Sequence, residues 1–170
     1  MIELFTPFKP MEPVSRSSPF DDENYGFQIK WDGTRILAHI SQGQIQLFNR
    51  KKHKRTKQYP EIVIFLANIF KSRDVILDGE IIALTNGKPN FQQLMRRDWA
   101  TDPSTIKHLM SKIPVTYVIF DIIYLDGEPL IYKPFFERDS MLHNIIKSQD
   151  PVVLTDTFKE RGTLLFELIR

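Results

Sequence analysis

The sequence contains no cysteine, which excludes a disulfide framework and any thiolate metal site. It also lacks an apolar run of the ~18 residues that a membrane-spanning helix needs. Its N-terminus has neither the basic region nor the long apolar stretch of a signal peptide. The net charge of +2 is too small to indicate a nucleic-acid partner by itself. These absences are typical of a protein of the reducing cytoplasm, where we expect this one to reside, with no membrane partner.

The composition is sufficient for a folded domain. The chain has 170 residues, of which 42% are hydrophobic and 26% charged, as in ordinary globular proteins. A chain of this size buries roughly 70% of its unfolded surface, so a sizeable core is feasible. Short alternating segments cluster together and alternate irregularly with amphipathic segments, which favours an α+β fold over a regular βαβ series.

Hydrophobic periodicity and turn residues predict the individual elements. Strands are predicted at residues 25–31, 35–40, 44–48, 75–84, 115–125 and 152–154. Helices are predicted at residues 60–70, 90–95, 103–112, 135–146 and 163–170. Asn90 and Asp102 are predicted N-caps, and Pro60 and Pro103 suit the first turns of their helices. Tight turns are predicted at residues 42–43, 86–87 and 126–127, each of which ends in glycine.

The stretch KWDGTR, residues 30–35, combines the groups that a nucleotide site needs. Lys30 lies between Ile29 and Trp31, whose apolar side chains reduce its hydration and favour the neutral, nucleophilic amine. Asp32-Gly33 turns the chain, and the Arg35 guanidinium suits phosphate or ribose oxygens. The stretch therefore predicts a nucleotide site, and a solvated surface hairpin is the alternative.

Three further motifs follow in order: FNR at residues 48–50, LDGE at 77–80 and YVIFD at 117–121. With residues 30–35 they resemble, in order and spacing, the motifs of the covalent nucleotidyltransferases. That superfamily comprises ATP-dependent DNA ligases, RNA ligases and mRNA-capping guanylyltransferases. The arginine after Asp-Gly, the FNR sequence, which is similar to a Ser-Arg-Asn element, and the spacing favour the DNA ligases. Lys51 departs from the asparagine that is usual after Arg50 in that element.

The resemblance implies a fold and a role for each matching residue. The implied fold is two antiparallel β-sheets flanked by helices, with a nucleotide groove between them. Lys30 would attack the α-phosphate of ATP, expel pyrophosphate and form a lysine–AMP phosphoramidate. Arg35 and Arg50 would hold ribose and phosphate oxygens. Glu80 would accept a hydrogen bond from a ribose hydroxyl or help to place a metal, and Phe120 would stack on adenine.

Gln28 lies where DNA ligases often carry a glutamate that contacts the base. An amide and a carboxylate can both accept a hydrogen bond from the adenine amino group, so the resemblance implies the same contact for Gln28. The resemblance also implies Mg²⁺ as a cofactor, since this ion prefers oxygen ligands and bridges phosphates. No set of protein ligands for the metal is predicted.

A basic block follows the first hairpin. Within eight residues it carries Arg50 and the predicted nucleic-acid contacts Lys51, Lys52, Lys54, Arg55 and Lys57. Such a block can be a solvated loop or a phosphate-binding patch. Its position beside the proposed nucleotide site favours contact with DNA phosphates, which position a duplex without reading its sequence.

The resemblance covers nearly the whole chain, residues 1–170, as an adenylation domain that is incomplete at its C-terminus. We expect the chain to lack two further motifs of the family and its oligonucleotide-binding barrel. We therefore expect weak self-adenylation, no sealing of nicked duplex DNA by the chain alone, and a monomer whose exposed sheet edge can pair with another copy. The alternatives are an RNA ligase or guanylyltransferase of the same superfamily, and a non-catalytic nucleic-acid-binding remnant.

Overall fold

A computed structural model of the protein describes residues 2–169, which form nine strands and five helices. The strands are β1 Gly26–Phe27, β2 Thr34–Ser41, β3 Gln44–Asn49, β4 Asp74–Thr85, β5 Lys88–Pro89, β6 Val115–Leu125, β7 Glu128–Pro129, β8 Val152–Leu154 and β9 Phe158–Lys159. The helices are α1 Pro60–Ile69, α2 Phe91–Asp98, α3 Pro103–Lys112, α4 Phe135–Ile145 and α5 Gly162–Leu168. None of these helices is both long enough and apolar enough to span a membrane.

Seven of the strands form one sheet with β4 at its centre. The strand order is β3-β2-β4-β6-β7, with β5 paired to β4 and β8 paired to β6. Strands β1 and β9 form a separate two-stranded antiparallel sheet. The predicted α+β fold with two sheets is therefore confirmed. One pair differs from the expectation, because β8 runs parallel to β6.

The prediction of a strand over residues 25–31 is wrong for most of its length. Only Gly26 and Phe27 pair, with Lys159 and Phe158 of β9. A Cβ at Gly26 would lie 2.7 Å from the Phe135 ring, so α4 packs directly on this segment. Beyond Phe27 the chain is held by side-chain contacts rather than by a strand ladder. The other predicted strands and helices are present, and Arg170, at the end of the last predicted helix, lies outside the described residues.

The predicted caps and turns explain where the elements begin and end. The Asn90 side chain accepts from the Gln93 backbone N–H, and the Asp102 side chain accepts from that of Thr105. Each cap satisfies a donor that the first helical turn leaves free. The three predicted turns have a residue with positive φ followed by glycine with positive φ, at residues 42–43, 86–87 and 126–127. This geometry matches the right-handed twist of the strands that they join.

The core fills one face of the main sheet beneath α1, α2 and α3. Tyr117 of β6 is fully buried there, and its hydroxyl lies 2.9 Å from the carbonyl oxygen of Ile36 in β2. A Cβ at Gly79 of β4 would lie 2.6 Å from the Tyr117 ring. The missing side chain at position 79 therefore lets the aromatic ring cross under the central strand.

Arg97 of α2 is an unusual member of the core because its side chain is completely buried. Its Nη2 donates to a Glu61 carboxylate oxygen at 2.7 Å and to the Gln58 carbonyl oxygen at 2.9 Å. Its Nη1 donates to the Ile113 carbonyl oxygen at 3.2 Å. The guanidinium thus joins α1, α2 and the end of α3. A buried charge of this kind is tolerated only because its partners are present.

We predict that Arg97→Met lowers the free energy of unfolding by about 3–5 kcal/mol, because it leaves a carboxylate and two carbonyl oxygens in the interior without their hydrogen-bond donor. Urea denaturation measures the change. Arg96→Met is the matched control, since Arg96 is the exposed neighbour on the same helix and its loss should cost at most about 0.5 kcal/mol. Equal costs for the two variants would contradict the structural role of Arg97.

Candidate active site

The centre of the candidate site is the junction between the loop that carries Lys30 and strand β4. At Gly33 this loop passes so close to β4 that a Cβ would overlap the Ile81 carbonyl oxygen and lie 3.0 Å from Cγ of Glu80. Glycine is the residue that permits such an approach of two backbones. The close approach brings the loop of the exposed Lys30 to the half-buried Glu80, and the charge of Lys30 acts to lower the pKa of Glu80. The sequence predicted both residues, and the structure brings them together.

Glu80 has the most perturbed carboxyl group of this junction. Burial raises its pKa to about 7, although the charges of Lys30 and Arg35 and the Gly33 backbone N–H act in the opposite direction. Perturbed carboxyl groups beside a cation are often found at functional sites. The Glu80 side chain is therefore suited to exchange a proton or accept a hydrogen bond near neutral pH.

Arg35 lies beside Glu80 in the strand register but is held by another carboxylate. Its Nε and Nη2 donate to the two carboxylate oxygens of Asp78 at 2.9 and 2.6 Å, and its Nη1 donates to the Met11 carbonyl oxygen at 2.7 Å. Its guanidinium carbon lies 5.4 Å from the centre of the Phe120 ring. The sequence missed Asp78 as the partner that fixes this arginine.

The guanidinium of Arg35 borders a cavity of about 520 Å³ between the N-terminal segment, β6 and α4. The second ion pair on its wall joins Arg138 of α4 to Asp121 of β6, at 2.8 and 2.7 Å. Lys30, Glu80 and Phe120 do not line this cavity. The role of Arg35 in holding nucleotide oxygens stays a prediction, and three of its five N–H groups already donate within the protein.

Arg50 also has a partner that the sequence did not indicate. Its Nε and Nη2 donate to one carboxylate oxygen of Glu12 at 3.0 and 2.7 Å. Lys9 lies 3.1 Å from the same oxygen, and the two cations lower the pKa of Glu12. Both side chains of the Arg50–Glu12 pair are accessible to water, which weakens the attraction. The structure thus places Arg50 against the N-terminal segment, where a stronger anion could compete for it.

Gln28 and Phe120, the two residues predicted to contact the base, lie next to each other. The Gln28 side-chain nitrogen is 3.5 Å from the Phe120 carbonyl oxygen and 2.9 Å from the Thr157 hydroxyl. The Thr157 hydroxyl is in turn 3.1 Å from a carboxylate oxygen of Asp139 on α4. Sequence reasoning missed Thr157 and Asp139, because 129 residues separate Gln28 from Thr157 and no local pattern links them.

The basic block forms an exposed loop after β3, and Asn49 organises it. The Asn49 side-chain oxygen accepts from the backbone N–H groups of Lys51 and His53 at 3.0 and 2.9 Å. This contact turns the backbone and leaves four lysine side chains exposed to solvent. They are Lys51, Lys52, Lys54 and Lys57. The central residue of the FNR motif therefore has a structural role in shaping the loop.

Arg55 differs from those four lysines. Its Nε lies 3.1 Å from both carboxylate oxygens of Asp98, which also accepts from the Tyr59 hydroxyl at 2.9 Å. The Arg55 side chain is only 20% exposed, and that of Asp98 is 6% exposed. The Arg55 charge is thus paired inside the protein and anchors the loop to α2, and its contact with nucleic acid stays a prediction.

We predict that Glu80→Gln removes part of the pH dependence of stability. A carboxyl group whose pKa is higher in the folded than in the unfolded state binds more protons when folded, so its contribution falls as pH rises from 4.5 to about 7. The glutamine variant should therefore gain stability relative to the wild type between pH 5 and 7.5, as measured by urea denaturation. A constant difference between the two proteins over this range would contradict the raised pKa.

The fold and sequence resemble those of known ligases. DNA ligase 2 of Thermofilum pendens is 35% identical over 169 residues, covering 95% of this chain and 28% of that protein. The SPbeta prophage-derived DNA ligase-like protein LigB of Bacillus subtilis is 30% identical over 165 residues, covering 95% of this chain and 56% of that protein. The chain thus spans between about a quarter and just over half of the length of these curated relatives.

Two solved structures share the fold over 84% of this chain. The ligase domain of M. tuberculosis LigD has a TM-score of 0.67 and 25% identity, with 43% of that chain covered. A mycobacterial DNA ligase D complexed with ATP and MES has a TM-score of 0.66 and 24% identity, again with 43% of that chain covered. The model of the ATP dependent DNA ligase domain matches residues 11–163. These residues include all four motifs and most of the chain, and the protein belongs to the ATP-dependent DNA ligase domain family.

Proposed function

We propose that this chain is the adenylation part of an ATP-dependent DNA ligase, in which Lys30 becomes covalently linked to AMP. The observation that carries the proposal is the contact between the Lys30 loop and Glu80 at Gly33. This contact brings the loop of the exposed Lys30 amine to the perturbed Glu80 carboxyl group, on the face of the sheet where Phe120 also lies. Membership of an ATP-dependent family supports ATP as the nucleotide.

In the proposed reaction the lone pair of Lys30 Nζ attacks the α-phosphorus of ATP. A P–N bond forms, the P–O bond to the β-phosphate breaks, pyrophosphate leaves and the amine loses a proton to solvent. The lysine must be unprotonated at the moment of attack. The chain contributes mainly positioning and electrostatic support, as is general for phosphoryl transfer. Phe120 is proposed to stack on the base, and Glu80 to accept from a ribose hydroxyl.

Mg²⁺ is part of the proposal and would neutralise charge on the phosphates. The ion usually binds through one or two carboxylates together with substrate phosphate oxygens, so an extensive set of protein ligands is not needed. Glu80 would supply such an oxygen ligand at the Lys30 junction, as the alternative to accepting from a ribose hydroxyl. Among residues 2–169 no cluster of three or more His, Cys, Asp or Glu side chains is arranged to hold a metal without the substrate.

DNA is the proposed second substrate, with nicked duplex ends carrying a 5′-phosphate and a 3′-hydroxyl. The exposed lysines of the loop after β3 support this choice, since they offer contacts to phosphates without reading bases. Arg50 lies at the start of this loop, where phosphate could replace Glu12 as its partner. Arg55 is not included, because Asp98 already neutralises it.

We predict that incubation with ATP and Mg²⁺ adds the mass of one AMP to the intact protein. Lys30→Ala should abolish the gain, because it removes the nucleophile. Lys107→Ala is the matched control, since Lys107 is an exposed lysine on α3, and it should react like the wild type. The time course also tests the expectation of weak adenylation.

Three outcomes would contradict this proposal. An adduct that persists in Lys30→Ala would assign the chemistry to another residue. A gain of mass from GTP but not from ATP would indicate a capping-type guanylyltransferase instead. A chain that forms no adduct with either nucleotide, while Lys30 remains intact, would favour the non-catalytic nucleic-acid-binding remnant.

We predict that the loop lysines determine the salt dependence of DNA binding. Replacing Lys51, Lys52 and Lys54 by glutamine should reduce the slope of log K against log salt by about 2–3, because each lost phosphate contact removes about one released counterion. Fluorescence anisotropy with nicked duplex DNA measures the slope. Replacing Lys107, Lys112 and Lys147 by glutamine removes the same charge elsewhere, and an equal fall in slope there would contradict a specific role for the loop.

A further inference from the structure

The contacts of Gln28 fix which end of its side-chain amide is available to a ligand. The Thr157 hydroxyl lies between the Gln28 side-chain nitrogen, at 2.9 Å, and an Asp139 carboxylate oxygen, at 3.1 Å. An ionised carboxylate can only accept hydrogen bonds, and a hydroxyl has one proton to donate. The Thr157 hydroxyl therefore donates its proton to Asp139, and it must accept a hydrogen bond from its other neighbour.

The other neighbour is then the N–H end of the Gln28 amide, because the carbonyl end cannot donate. The Phe120 carbonyl oxygen, 3.5 Å from the same nitrogen, is a second acceptor that favours this orientation. Both acceptors are therefore used by the N–H end of the amide, and the carbonyl oxygen is its other end. Within residues 2–169 no group donates a hydrogen bond to it, so it remains available as an acceptor.

We propose that Asp139 and Thr157 are positioning residues that set base selectivity by holding Gln28 as a hydrogen-bond acceptor. This inference rests on the proposed nucleotide site. Adenine carries an amino group where guanine carries a carbonyl oxygen, so an acceptor held at that edge binds adenine and repels guanine. An amide that was free to rotate could present either end and would discriminate poorly. The hydrogen bonds that link Asp139, Thr157 and Gln28, here called the relay, therefore keep the Gln28 amide oriented as an acceptor. A carboxylate at this position would be an acceptor without such support.

The proposal is tested by the ratio of the dissociation constants for GTP and ATP analogues. Analogues with an α,β-methylene bridge are used, because they bind without releasing pyrophosphate. Displacement of a fluorescent ATP analogue from the full chain measures both constants. Thr157→Val keeps the methyl group that packs near Gly26 but removes the hydroxyl. It should lower the selectivity for adenine by about three- to tenfold, the value of one neutral hydrogen bond.

Two matched variants separate orientation from packing. Thr157→Ser keeps the hydroxyl and should retain the selectivity within about twofold, and so should Ser140→Ala, which alters a nearby exposed residue outside the relay. In a Gln28→Glu background both oxygens are acceptors, so Thr157→Val should no longer change the ratio. Should Thr157→Val fail to fold, Asp139→Ala replaces it, because it frees the Thr157 proton to donate to the amide and should lower the ratio by a similar factor.

The outcomes distinguish this inference from the proposed function. A Thr157→Val variant that keeps the wild-type ratio, or that changes it equally in the Gln28→Glu background, overturns the relay. A wild-type chain that binds both analogues equally well also overturns the relay but leaves the adenylation proposal intact. A wild-type chain that binds neither analogue overturns the nucleotide site itself.

Discussion

The packing of the Tyr117 ring against Gly79 holds together the part of the sheet on which the site is built. A Cβ at position 79 would lie 2.6 Å from both the ring and the Val118 carbonyl oxygen, so a larger residue would force β4 and β6 apart. The Tyr117 hydroxyl reaches the Ile36 carbonyl oxygen in β2 and therefore links the third strand. The candidate site depends on this spacing because its side chains come from β2, β4, β6 and the loop before β2.

The carboxylates on the two sides of Gly79 in the LDGE motif, residues 77–80, have different roles. Asp78 is buried and binds Arg35 through two hydrogen bonds, while Glu80 is half-buried and faces the Lys30 loop; burial raises the pKa of both carboxyl groups. One carboxylate therefore neutralises a cation permanently, and the other keeps its capacity for a ligand. Burial explains the difference, because a paired charge in the interior cannot be released without leaving its partner desolvated.

This distinction also separates the two arginines of the site. Arg35 is fixed by a carboxylate that is only 3% exposed, so its exchange for a phosphate would leave the Asp78 charge buried without its partner. Arg50 is paired with a carboxylate that water already reaches, so the exchange of Glu12 for a phosphate would cost little. Arg35 is therefore better suited to shaping the site, and Arg50 to binding an incoming anion.

The local features of the fold could be predicted from the sequence, because their causes lie within a few residues. The caps at Asn90 and Asp102 and the three glycine turns are of this kind. The motifs indicated Lys30 and Glu80 through a resemblance, and the structure brings them together. The partners of the arginines could not be predicted, since 43 residues separate Arg35 from Asp78 and 38 separate Arg50 from Glu12. Such pairs depend on strand register and on the path of the N-terminal segment, which periodicity does not determine.

Gln28, which stands where DNA ligases often carry a glutamate, depends on residues far away in the sequence for its orientation. A carboxylate at this position can only accept hydrogen bonds, whereas an amide can present either a donor or an acceptor. The direction must then come from its neighbours, and the neighbours that supply it are Thr157 and Asp139. The Gln28 side chain therefore cannot be interpreted without the segment before β9 and helix α4. Under the proposed relay, a substitution at Thr157 or Asp139 changes which end of the Gln28 amide is presented to a ligand.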